Sequence, residues 1–106
     1  MILESAVLDV KPGETREFES VFSRAQRIIA ASPGYLSHEL QRCIEKPHRY
    51  LLLVRWQTLE DHTERFRKSA PYQEWKELLH HFYDPFPVVE HYEAVSGLSA
   101  AARRVR

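Results

Sequence analysis

The sequence predicts an α+β domain of the ferredoxin-like kind, βαββαβ, with a four-stranded antiparallel sheet and its helices on one face. Three observations predict it. Four stretches are apolar or alternate with the period of a strand (2–10, 35–44, 50–56 and 88–95), two regions between them carry helical spacing, and proline or glycine marks the junctions. Right-handed crossovers then leave one economical strand order, 4-1-3-2. At 106 residues the chain has room for a single core, placed at 1–95, with 96–106 as a C-terminal tail without periodicity.

Each element follows from local chemistry. Ile2, Leu3, Ala6, Val7, Leu8 and Val10 make a short apolar strand that stops at Lys11-Pro12-Gly13. Phe18, Val21, Phe22, Ala25, Ile28 and Ile29 fall on one side of a helix, with Arg16, Glu17, Glu19, Arg24 and Arg27 on the other, and Ser32-Pro33-Gly34 ends it. Tyr35 to Ile44 alternates as a half-exposed edge strand. Glu45-Lys46-Pro47-His48 connects it to Tyr50 to Trp56, which is apolar on both faces. Thr58-Leu59-Glu60-Asp61 has the spacing of a helix-capping box, in which a threonine oxygen and an acid satisfy free backbone N–H groups at a helix start. That helix carries Leu59, His62 and Phe66 inward and breaks near Ser69-Ala70-Pro71. The next carries Tyr72, Trp75, Leu78, Leu79 and Phe82, and Asp84-Pro85-Phe86-Pro87 forces an extended lead into the last strand, Val88 to Val95.

Composition removes several classes of function. Lys and Arg number 15 and Asp and Glu 15, so there is no basic field to hold nucleic acid or an anionic membrane. The single cysteine, Cys43, excludes an internal disulfide framework and cysteine-based metal clusters. His38, His48, His62, His80, His81 and His91 show no metal-ligand spacing, and His80-His81 read as polar groups at a helix end. No apolar run of about 18 residues and no secretory leader is present, so a cytoplasmic location is expected. Leu51 and Leu53 alternate with Leu52 and Val54, and Val89 backs Val88, so the sheet face away from the helices is also expected to be apolar. Two such faces packed together make a homodimer.

The candidate site lies between helices and sheet. His62 sits on an otherwise apolar stripe, where an imidazole suits proton transfer, and Tyr72 and Trp75 bring an O–H and an N–H toward the same space. Trp56 and Phe66 add aromatic walls. The same five residues also suit plain core packing.

The chain resembles the antibiotic biosynthesis monooxygenase family over residues 2–95. The resemblance is carried by Pro33-Gly34-Tyr35, by Tyr50 to Trp56 running into Thr58-Leu59-Glu60-Asp61-His62, by Phe66-Arg67-Lys68-Ser69-Ala70-Pro71-Tyr72, and by Val88 to Val95. It implies a dimeric α+β barrel and oxygen chemistry on a planar phenol or quinol, without metal or flavin, the deprotonated substrate itself giving electrons to O₂. His62 is then the base, Tyr72 and Trp75 steady the developing oxyanion, and Trp56 and Phe66 stack on the ring. A non-catalytic binding module of the same fold is the alternative. Haem binding is disfavoured, because the Asn, Trp and His of the haem-degrading branch meet Ser5, Arg65 or Phe66, and Trp75 or Lys76 in this chain.

Overall fold

The computed structural model describes residues 1–101. Strand β1 (Ile2–Asp9) leads to helix α1 (Thr15–Ala30), strands β2 (Tyr35–Arg42) and β3 (Arg49–Trp56), helix α2 (Ala70–Leu79) with a tighter final turn at His80–Phe82, and strand β4 (Val89–Tyr92). The sheet order is β2-β3-β1-β4 and every neighbouring pair is antiparallel. Ala101 closes a stretch after β4 that holds only a turn at Ser96-Gly97, and residues 102–106 of the expected tail lie outside the described residues.

The alternation in β1 and β3 decides what faces the helices. Glu4, Ala6 and Leu8 point inward from β1, and Tyr50, Leu52, Val54 and Trp56 from β3. They meet Phe18, Phe22, Ala25 and Ile29 of α1 and Trp75, Leu79 and Phe82 from the other helical segment. Phe18 is fully enclosed by Phe22, Tyr50, Phe82 and Tyr83, with ring centroids 4.9–5.9 Å away. Burying each such ring removes apolar surface from water, worth about 1.5–3 kcal/mol per side chain.

Two segments differ from the sequence reading. The residues after Thr58 do form the capping box, since Thr58 N–H donates to Asp61 Oδ2 at 3.1 Å and Asp61 N–H to Thr58 Oγ1 at 3.2 Å. The chain then winds more widely than an α-helix over Asp61–Phe66, and Arg67 N–H donates to His62 O, five residues back, at 3.1 Å. Such turns hold about one residue more than an α-turn. Here the extra residue lets His62 and Phe66 stand nearly parallel, at 6.4 Å and 29°, on the same side of the segment. Strand β4 is also shorter than expected. Val89 pairs with Ala6 and faces the helices, while Val88 precedes the strand and is exposed. The open sheet face therefore takes nothing from Val89; its apolar members are Leu3, Val7, Leu51, Leu53 and Tyr92, among Ser5, Glu39, Arg55 and Glu90. Val7 is 39% and Tyr92 51% exposed on it.

Candidate functional site

A cavity of about 370 Å³ lies on the helix side of the sheet, at the end where α2 turns back toward β4. Glu4, Ala6, Leu8, Leu52 and Val89 line it from the sheet and Ile29 from α1. Tyr72, Trp75 and His80 line it from the second helical segment, Tyr83, Phe86 and Pro87 from the chain entering β4, and Arg67 from the preceding turn. Arg67 and Phe86 are exposed and mark its mouth.

The five residues singled out in the sequence do come together, but only Tyr72 and Trp75 line this cavity. Trp56, His62 and Phe66 are 0%, 4% and 1% exposed and fill the adjoining space themselves. The indole of Trp56 stacks on the imidazole of His62 at 5.3 Å and lies 5.9 Å from Phe66. Phe66 in turn packs nearly perpendicular to Tyr72 at 5.3 Å and Trp75 at 5.9 Å, so it supports the cavity wall from behind. Trp56, His62 and Phe66 thus stand beside this cavity and not on its lining. The wide turn directs His62 and Phe66 toward Trp56, and Phe66 also borders a second cavity of about 360 Å³ beside Ile28, Pro33 and Pro71.

Glu4 was not anticipated, although its parity with Ala6 and Leu8 on β1 is the signal that places it inside. A carboxylate on the inward face of a central strand is costly without partners. Trp56 Nε1–H donates to Glu4 Oε1 at 3.0 Å, and His62 Nε2 stands 3.4 Å from the same oxygen. Burial nevertheless pushes the Glu4 carboxyl above its ordinary value, outweighing the Trp56 hydrogen bond and the charge of Arg67. Burial also drives His62 down to about 3, with help from the positive Arg67 and from His91. The imidazole is therefore neutral at pH 7, and its approach to Glu4 is dipolar and not an ion pair. Its other nitrogen, Nδ1, lies 2.8 Å from His91 Nε2 on β4.

Several polar atoms at the cavity are left for a guest or water. Glu4 Oε2, the hydroxyls of Tyr72 and Tyr83 and the Trp75 indole N–H make no hydrogen bond among the described residues, yet no side-chain polar atom there is both sealed from solvent and unpartnered. Burial pushes the Tyr83 phenol up, so it stays a neutral donor, and burial lowers His80, seconded by Lys76. The site thus offers flat apolar walls, one carboxylate oxygen and three neutral donors. Among the described residues no group of three His, Cys, Asp or Glu is placed to hold a metal ion. Of the imidazoles in this region, His80 lines the cavity, His81 lies exposed against Phe82 and His62 is engaged with His91. Among the described residues no helix is long and apolar enough to cross a membrane.

The sequence profile of a family described as "Antibiotic biosynthesis monooxygenase" matches residues 1–78. The uncharacterized protein YczJ of Bacillus subtilis is 56% identical over 95 residues, which cover 90% of this chain and all of YczJ. The protein SchA of Streptomyces halstedii is 28% identical over 75 residues, 62% of this chain but a fifth of SchA. Among solved structures, a Bordetella bronchiseptica protein provisionally named an antibiotic biosynthesis monooxygenase is 36% identical, with a TM-score of 0.85 over 89% of this chain and 96% of its own. SnoaB of Streptomyces nogalater, a cofactor-independent oxygenase solved in a mutant form, shares the fold at 22% identity and a TM-score of 0.72, over 93% of this chain and 97% of its own.

Proposed function

The chain belongs to the antibiotic biosynthesis monooxygenase family, and on that premise we propose that it oxygenates a planar phenol, quinol or related polycyclic aromatic held in the 370 Å³ cavity. The observation that carries this reading is the combination of aromatic walls with donors that have no partner of their own, at Tyr72, Trp75 and Tyr83. Rings favour a flat guest, and neutral N–H and O–H groups in a dry site stabilise the oxygen anion that forms when the guest loses a proton. The same family fold serves cofactor-independent oxygenation in SnoaB. In this scheme an electron-rich carbanion gives electrons to O₂ directly. For a methylene flanked by aromatic rings the balance is CH₂ plus O₂ giving C=O plus water, four electrons passing from that carbon to oxygen with no outside reductant.

Anthrone, which has such a methylene, is the probe. Purified protein is expected to raise oxygen uptake in its presence and to form anthraquinone. Tyr72→Phe, which removes one donor and no bulk, should lower kcat by about 10-fold to 100-fold. Uptake no faster than in buffer, despite anthrone bound in the cavity, would leave a binding module in place of an oxygenase.

The active form is a homodimer packed through the open sheet face, where Leu3, Val7, Leu51, Leu53 and Tyr92 form an apolar strip. Sedimentation should return a dimer for the native chain and a monomer for Leu53→Glu, since a charge at the strip's centre stays uncompensated when two copies meet. A native monomer at micromolar concentration would remove the dimer.

A further inference from the structure

Glu4 is a titratable group in the cavity that neither the sequence motifs nor the comparisons single out, and the groups behind it form a line. His91 Nε2 meets His62 Nδ1 at 2.8 Å, His62 Nε2 faces Glu4 Oε1 at 3.4 Å, and Trp56 Nε1–H donates to that same oxygen at 3.0 Å. Neutral imidazole has one donor nitrogen and one acceptor. With His91 donating from Nε2, His62 accepts at Nδ1 and must carry its proton on Nε2, toward the carboxylate. Both donors then address Oε1 and leave Oε2, which has no hydrogen bond among the described residues, to whatever occupies the cavity.

We propose that Glu4 Oε2 is the proton acceptor for the bound aromatic, and that His91 and His62 are positioning residues that fix the carboxylate by holding His62 in the Nε2–H tautomer. The proposal deepens the oxygenase reading and rests on its cavity. In the step itself the ring-flanking C–H bond breaks, its proton goes to Oε2 and its electron pair stays on the aromatic as the carbanion. Glu4 returns the proton when the peroxide anion forms after O₂ addition, so the carboxylate ends the step as it began. His62 is poorly suited to this role because it does not line the cavity and both its nitrogens are directed to other residues. The charged or titratable groups around Glu4 are Arg67 from the turn, His62 and, behind it, His91 from β4, with Tyr72, His80 and Tyr83 lining the same cavity. Burial that raises the carboxyl makes it a stronger base than an exposed one. The 3.4 Å gap between His62 and Glu4 suits a site whose hydrogen bonds tighten only when a guest arrives.

The test separates proton removal from oxygenation. Anthrone incubated with the protein in D₂O without oxygen exchanges its methylene protons if a base removes them, whether or not oxygenation follows. The native chain is expected to accelerate this exchange. Glu4→Gln should reduce both exchange and oxygen uptake by about 10²-fold to 10⁴-fold with little change in KM, while remaining folded by circular dichroism. His91→Ala should reduce exchange by about 10-fold and shift the acid limb of its pH profile, and His91→Gln, which keeps a donor, should recover most of it. Nitrogen-15 spectra of the imidazoles should show His62 neutral with the proton on Nε2. Exchange without oxygen uptake would keep Glu4 as base and end the oxygenase reading. Oxygen uptake unchanged in Glu4→Gln would overturn the proposal and spare that reading. Absence of both in the native chain would end both, and a proton on His62 Nδ1 would overturn the positioning role.

Discussion

Lowering the pH from 7 toward 3 is expected to remove about 4–5 kcal/mol of folding stability through His62 alone. The imidazole titrates near 6.5 in the unfolded chain but only at about 3 in the fold, because burial, Arg67 and His91 all disfavour its charged form. The unfolded state therefore binds a proton that the folded state refuses. Stability is fully present above pH 6.5 and falls by up to about 1.4 kcal/mol per pH unit until the folded group titrates. Against the 5–15 kcal/mol typical of small domains, that loss takes a large share of the total by about pH 3. Glu4 acts in the opposite sense, since its raised carboxyl takes up a proton more readily when folded. Asp9 and Glu19 are held low, by Arg49 and by Tyr50 and Arg42, so their contribution begins to be lost only as the pH falls below their ordinary values of 3.8 and 4.5. Urea unfolding of the native chain and of His62→Gln between pH 7 and 4 isolates the effect. The variant should be less stable at pH 7 but show a shallower dependence between pH 6.5 and 5, the remaining slope coming from His38, His80 and His91, which burial also lowers. Parallel slopes in the two proteins would mean that His62 is not the group that resists protonation.

Gly34→Ala is expected to cost about 2–4 kcal/mol. Gly34 has a φ of +83°, a left-handed backbone conformation that side chains disfavour, and a Cβ there would stand 2.1 Å from the Asp61 carboxyl. The carboxyl cannot simply retreat, because Oδ2 accepts the Thr58 N–H and Arg65 lies 3.5 Å from its other oxygen. Gly34 O in turn accepts the Gln57 N–H at 2.8 Å, tying the end of β3 to the same point. The clash therefore pushes on the wide turn that carries His62. Asp61→Ala should weaken the native chain by about 1 kcal/mol through loss of the cap, yet recover part of the Gly34→Ala deficit when combined with it. Thermal melts of the four proteins measure the coupling, and strictly additive losses would show that the two residues do not collide.

The fold was legible because its information is local. The strand and helix periods, the Pro and Gly junctions and the Thr58–Asp61 cap are written within windows of a few residues, and handedness then orders the strands. Legibility stopped where placement depends on more distant geometry. Tyr72 and Trp75 lie on a regular helix, so spacing alone put them at the cavity. His62 and Phe66 lie on a turn whose pitch departs from 3.6 residues, and a helical wheel misdirects them. Glu4 and His91 are 87 residues apart and meet only because β1 and β4 pair in register, Glu4 opposite His91. Strand parity identifies Glu4 as inward, but nothing local says that the carboxylate borders empty space or that an indole 52 positions away donates to it.

The surplus residue in the turn at Asp61–Phe66 makes the geometry around Glu4 a matter of chain length more than of side-chain identity. Losing one codon there would let the backbone wind at the ordinary pitch and carry the imidazole around the axis, away from both the indole and the carboxylate, with every other ligand of the network unchanged. A one-residue deletion, usually regarded as a loop event, would here shift the surroundings of the proposed base without replacing any of its neighbours.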